Sequence, residues 1–244
     1  MKHKKYSNTI ESRGYNVVKS NDLIQKSRYS LSAQEQKMIL YLISKIKPED
    51  IELKEHTFEI IDFCRVCGLD NDNGANYKYI RQTLKDLRDK SIWITLENGK
   101  ETTLAWIDKV TMDKNSGTVE IKIDDMLKPY LLQLKEKFTV FSLYFTLAMK
   151  SKYSIRLYEI LRSYQNLGEC EFEIGRLKSM LSAETYEVFK DFRVKVLEIS
   201  MREINQVSDI LASYELEKKG RKFHKIKFSI TPKYKEDIEE SIKT

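Results

Sequence analysis

Tyr186–Asn205 (YEVFKDFRVKVLEISMREIN), followed by Leu211–Glu217 (LASYELE) and Lys218–Ile230 (KKGRKFHKIKFSI), decides the fold. The first stretch reads as a helix of about 30 Å at about 1.5 Å per residue, with Phe189, Phe192, Val196, Ile199 and Ile204 directed inward. Leu211–Glu217 and Arg221–Ile230 read as two strands. Lys218-Lys219-Gly220 joins them, with glycine where a tight turn needs positive φ. Upstream, Lys150–Asn166 reads as a helix with Leu157, Ile160, Leu161 and Tyr164 as its core stripe. A strand at Glu171–Ile174, a short helix through Leu177 and Leu181 and a turn at Ser182–Glu184 follow. The order is helix, strand, helix, turn, helix, hairpin, which spells a helix-turn-helix core with a trailing hairpin, the winged-helix arrangement.

The first half shows nearly the same order. Ser32-Ala33-Gln34-Glu35 is a capping box, and Met38, Leu42, Ile43 and Ile46 continue from it as one apolar stripe. A strand near Phe58 precedes a brief helix with Cys64 and Cys67 that stops near Gly68, and Asp70–Gly74 is a turn. The helix from about Asn76 turns Ile80, Leu84 and Leu87 one way and Lys78, Arg81, Lys85 and Arg88 the other. Ile92–Leu96, Thr102–Met112 and Val119–Ile123, separated by turns at Asn98-Gly99 and Asn115–Gly117, read as a meander. Met126–Thr146 is apolar and is expected to form a rigid junction, with the boundary near Gln133–Lys137.

The expected fold is α+β, two tandem winged-helix domains at 15–135 and 136–232. A basic arm at 1–14, with Lys2, Lys4 and Lys5, precedes them, and a tail at 233–244 follows. The halves share architecture, not a sequence period. With 244 residues, 41% apolar and 33% charged, the chain is long enough for two cores and too apolar for disorder. No apolar run approaches the roughly 18 residues of a membrane span, the first ten residues are unlike a signal peptide, and three cysteines cannot form a disulfide framework. A cytoplasmic location is expected.

A net charge of +6 permits a polyanionic partner, so distribution must decide. Lys218–Lys227 holds six basic residues in ten, Lys218, Lys219, Arg221, Lys222, Lys225 and Lys227, and no acid. Lysines also protect an exposed edge strand, but placement behind a helix-turn-helix favours a phosphate-binding wing. In the long helix Asp191, Lys195, Glu198 and Arg202 share the face away from the core, an arrangement that a salt-bridged solvent face would also give, and Lys190 lies nearby. Arg193 projects near the apolar arc, so Lys195 ranks above it as a base contact. The stripe Lys78, Arg81, Lys85 and Arg88 fits either a second DNA contact or a solvated face.

Catalysis finds little support. Three histidines, His3, His56 and His224, form no cluster for the metal site of a tyrosine nicking enzyme, despite fourteen tyrosines. No phosphate-cradling Gly-x-x-x-x-Gly-Lys loop exists. Cys64-x-x-Cys67 has no second pair for zinc. The Asp70–Gly74 run has Arg81 where a calcium loop needs glutamate. Neither a metal, a cofactor nor a catalytic residue is expected.

Two stretches resemble a known family. Val18-Lys19-Ser20-Asn21-Asp22-Leu23-Ile24 with Tyr29–Lys37 resembles the N-terminal signature of theta-type plasmid replication initiators, which bind repeated origin sequences called iterons. Tyr186, Phe189, Asp191-Phe192-Arg193, Val196-Leu197, Glu203-Ile204-Asn205, Tyr214 and Glu217–Lys222 resemble its recognition helix and wing. The resemblance spans roughly Tyr15–Ile230. It implies an N-terminal domain that also dimerises and a C-terminal domain that makes the main base contacts. It further implies monomers on iterons, dimers at an inverted repeat that represses the protein's own promoter, and recruitment of the host initiator and replicative helicase. Relatives often carry a fuller basic run after Asp-Phe, whereas Val194 stands between Arg193 and Lys195 here. The rival functions are a winged-helix repressor that never opens an origin, and a nicking enzyme.

Overall fold

Ser32 starts the first long helix as its sequence requires. Its Oγ accepts from the Glu35 amide at 3.3 Å while Glu35 accepts from the Ser32 amide at 2.6 Å, closing the capping box. The computed structural model describes residues 15–47, 49–66 and 74–234. The expectations for the basic arm, Cys67, Gly68, the Asp70–Asn73 part of the turn and the tail beyond 234 lie outside the described residues.

The first half runs β1 (Asn16–Ser20), α1 (Asn21–Gln25), β2 (Ser27–Arg28), α2 (Ala33–Ile43), β3 (His56–Glu59), α3 (Ile60–Val66), α4 (Gly74–Asp89), β4 (Ser91–Thr95), β5 (Glu101–Ala105), β6 (Ile107–Asp113) and β7 (Thr118–Ile123). A short helix α5 (Lys128–Leu131) leads into the second half. That half runs β8 (Phe138–Ser142), α6 (Leu143–Ala148), α7 (Lys152–Ser163), β9 (Glu169–Glu173), α8 (Ile174–Met180), the long helix α9, β10 (Ile210–Lys219) and β11 (Lys222–Pro232). Helix α9 consists of α-helical Phe189–Phe192, π-helical Arg193–Glu198 and α-helical Ile199–Val207.

The repeat is visible in the pairing. Sheet β3-β7-β6 of the first half has the same order as β9-β11-β10 of the second, so β6–β7 is the counterpart of the C-terminal hairpin. The strands that open each half, β1 and β8, pair antiparallel with Val18 opposite Val140. Between them, at Gln133 and Lys137, the chain takes positive φ of 50° and 51°.

The expected strand Thr102–Met112 is two strands in different sheets. β5 pairs with β4, and β6 pairs with β7. The physical reason lies at Trp106-Ile107, where two consecutive residues are fully buried and break the two-residue alternation of a single strand. Trp106 sits at the crossing, its ring edge-on to Tyr29 at 5.0 Å. The β4–β5 hairpin, joined to β2, is therefore an addition to the first half that the second half lacks.

A buried ionic cluster ties the halves together. Glu159 of α7 accepts from Lys19 of β1 at 3.0 Å, from Arg156 at 3.2 Å and from the Tyr29 hydroxyl at 3.3 Å. Arg156 also donates to the carbonyls of Ile24 at 2.7 Å and Ser27 at 3.0 Å. Burial pulls the Lys19 ammonium below its usual range; Glu159 opposes that effect and Arg156 adds to it.

Candidate nucleic-acid interface

Helix α9 is where the winding of the backbone matters most. At about 100° per residue, an unbroken α-helix would place Arg193 between Val196 and Leu197, in the middle of the buried arc. The π-helical stretch bonds i to i+5 and turns less per residue. Phe192, Val196, Leu197, Ser200, Met201 and Ile204 thereby gather into one buried stripe, and Arg193 is 44% exposed. The sequence-based placement of Arg193 on the apolar arc is corrected on this ground.

All four cations named for α9 face solvent, but they are not equivalent. Arg193 is held by Glu198 at 3.2 Å and Lys195 by Asp191 at 3.3 Å. Among the described residues, Lys190 and Arg202 have no ion-pair partner. The ranking of Lys195 over Arg193 therefore loses its basis, because both are exposed and both are tethered.

The hairpin β10–β11 is fixed to α9 at both ends of the helix. Near the amino end, Phe223 of β11 packs on Phe189 with ring centroids 4.7 Å apart. Near the carboxyl end, Asn205 exchanges two hydrogen bonds with the backbone of Ala212, accepting from its amide at 2.7 Å and donating to its carbonyl at 2.8 Å. The turn at Gly220 has φ of +66°, the left-handed conformation that glycine adopts without strain. Lys218, Lys219, Arg221 and Lys222 crowd this tip, all exposed and, among the described residues, without carboxylate partners. Lys218 lies over the Phe223 ring at 5.1 Å.

Lys225 belongs to a different surface. The outer face of the sheet carries Glu169, Glu171, Glu173, Glu215 and Glu217 around Lys225 and Lys227. Lys225 is paired with Glu171 at 2.6 Å and Lys227 with Glu169 at 2.8 Å. These hydrogen bonds hold both ammonium groups above their usual range. The run of six bases in sequence thus divides into four free charges at the tip and two spent within an acidic sheet.

In the first half, Lys78, Arg81, Lys85 and Arg88 of α4 line an open groove of about 1040 Å³ against β6, which adds Lys109. Lys85 is paired with Asp89 at 2.8 Å and Arg88 approaches the same carboxylate at 3.9 Å. Lys78 and Arg81 have no such partner among the described residues. Cys64 is buried and free, and no cluster of metal-ligating side chains occurs among the described residues.

With this geometry in view, comparison with known proteins is decisive. Residues 16–162 match the family model described as "Initiator Replication protein, WH1", and residues 173–230 match "Initiator Rep protein, WH2". The chain belongs to the replication initiator protein family. Residues 16–162 and 173–230 are thus the two tandem winged-helix domains of that family, so the first match extends through β8 and α6 into α7. Among curated initiators, a replication initiation protein of Escherichia coli is 27% identical over 217 residues, covering 84% of this chain and 66% of its own length. The PI protein of Escherichia coli is 28% identical over 148 residues, covering 53% of this chain and 48% of its own. The chain thus spans just under two thirds of the first relative and about half of the second. A crystal structure of Pi initiator protein in complex with iteron DNA superposes with TM-score 0.70 at 20% identity, covering 89% of this chain and 97% of that one. It supports the winged-helix fold.

Sequence reasoning missed several residues that build the initiator's surface. Phe223 was hidden among lysines, although an aromatic in a basic hairpin is itself a signal. Glu203, which enters the sequence reading only through the family resemblance, accepts from the Lys150 and Ser151 amides at the start of α7, at 3.1 Å each. Asp209 accepts from the Tyr158 hydroxyl at 2.8 Å and forms an ion pair with Arg162 at 3.3 Å. These contacts fix α9 and its hairpin against α7.

Proposed function

We propose that this initiator binds double-stranded origin DNA at repeated sites, laying the exposed side of α9 in the major groove and gripping flanking phosphates with the hairpin tip. The observation that carries this reading is the cluster Lys218, Lys219, Arg221 and Lys222, without carboxylate partners among the described residues and fixed to α9 through Phe189 and Phe223. Lys190 and Arg202 supply further charge along the helix that no carboxylate among the described residues neutralises, while Arg193 and Lys195 reach flanking phosphates by exchanging carboxylates. Lys78 and Arg81 beside β6 give the first domain an equivalent surface, so that one protein spans two groove segments.

Binding at several repeats bends the duplex and destabilises an adjacent A·T-rich region, with contact energy offsetting deformation. The protein breaks no bond itself. Host initiator and replicative helicase then complete opening. Monomers occupy the iterons, and a dimer occupies an inverted repeat at the protein's own promoter and represses it. The structural repeat favours a domain boundary at Gln133–Lys137, just before β8, although the first family match continues past it to residue 162. No helix among the described residues is long and apolar enough to cross a membrane, and the proposed site of action is the cytoplasm.

Footprinting on the DNA that flanks the gene tests the reading. A ladder of evenly spaced protections is expected. A single protected operator, with plasmid copy number unaffected by deletion, would establish a repressor instead. A covalent tyrosine adduct on supercoiled DNA would establish a nicking enzyme.

A further inference from the structure

Val194 is an anomaly on α9. It lies inside the π-helical stretch, 42% exposed, on a surface otherwise lined with charge. Single exposed valines are ordinary on protein surfaces, but two features set this one apart. The slower π turn, applied from Arg193 to Glu198, brings Lys190, Val194 and Arg202 to one side of the helix, whereas an unbroken α-helix would spread them over about 120°. The two cations beside it in sequence are each held by a carboxylate, Arg193 by Glu198 and Lys195 by Asp191. Between Lys190 and Arg202 stand Glu198, whose carboxylate is taken up by Arg193, and an apolar, branched side chain with one preferred rotamer.

The group in a major groove that matches such a side chain is the C5-methyl of thymine; the remaining base edges there are hydrogen-bond donors and acceptors. We propose that Val194 packs against a thymine methyl and fixes one A·T pair of the binding site. The inference rests on the DNA-binding role of α9 proposed above. It assigns readout at that position to shape and apolar contact, with Lys190 and Arg202 holding phosphates on either side.

The test uses the intact protein and a duplex carrying one footprinted repeat. Each thymine is replaced in turn by uracil, which removes the methyl and leaves the hydrogen-bonding edge unchanged. Wild type is expected to lose roughly fourfold in affinity at one thymine, the factor that corresponds to the ~0.8 kcal/mol of one buried methylene-sized group. Val194→Ala should lose about the same on the unmodified duplex and lose nothing further when that thymine becomes uracil. Val194→Thr, which keeps the shape and adds a hydroxyl, should also bind more weakly, with its fold checked by an unchanged melting temperature. If wild type binds the repeat tightly but no uracil substitution affects it more than it affects Val194→Ala, the Val194 assignment is overturned while the DNA-binding reading stands. If wild type binds no repeat at all, both fall.

Discussion

Removing the Glu159 carboxylate should destabilise the protein far more than removing its lysine partner, and the imbalance follows from the count of buried charges. Lys19 and Arg156 are both cationic, and Glu159 is the anion within 3.2 Å of each. All three are almost wholly buried. Glu159→Gln leaves two cations without a counter-charge, and breaking a buried pair in this way costs about 3–5 kcal/mol. Lys19→Met removes the cation that burial already disfavours and leaves Arg156 paired with Glu159. Exchange of a buried charge for a packed apolar group is often neutral, so stability should stay within about 1 kcal/mol of wild type. Urea unfolding of the intact chain, read as a shift in midpoint at constant slope, measures both. The pH dependence gives an independent check. The folded-state pKa of Lys19 lies below 10.5, so between that lowered value and 10.5 the unfolded chain binds the extra proton. Wild type must therefore gain stability relative to Lys19→Met as pH rises through that window. Equal losses for the two variants, or a difference that stays flat with pH, would refute the description of a dry, net-cationic cluster between the domains.

Three further outcomes follow from particular side chains. Asn205→Ala removes both hydrogen bonds to Ala212 and leaves that backbone unsatisfied, so a loss of about 1–3 kcal/mol is expected in thermal or urea melts. Lys225→Ala should change the salt dependence of DNA binding much less than Lys222→Ala, because Lys225 is committed to Glu171; equal effects would place the acidic sheet face on DNA after all. Arg81→Ala should flatten the log–log salt slope by roughly 0.9, the value for one phosphate that the guanidinium no longer neutralises. An unchanged slope would make the α4 stripe a solvated face.

Much of this architecture is legible in the sequence because each element carries a local signal. The Ser32 capping box, the apolar stripe of α7 and the glycine turn at Gly220 all fall where their chemistry demands. Features that depend on long-range pairing are not legible. β1 is five residues with a lysine in its interior, and only Glu159, 140 residues away, makes that lysine acceptable in a core. The division of Thr102–Met112 between two sheets depends on β4 and β7 as partners. In the candidate site, charge content was readable but charge availability was not. The i,i+4 spacing of Asp191 and Lys195 allows their pairing to be read, but those of Arg193 with Glu198 and of Lys225 with Glu171 emerge only once the carboxylates are located. The π stretch has no sequence period of its own, so helical projection misplaced Arg193.

The most direct test of the central claim is an equilibrium titration on an iteron-bearing duplex over a range of salt, comparing wild type with Lys219→Ala/Lys222→Ala. If the hairpin tip grips phosphates, the double variant should bind more weakly to every sequence and its log–log salt slope should shrink by roughly 1.8, from two phosphates at about 0.9 each. Parallel slopes with undiminished affinity would contradict the account and remove the wing from the DNA.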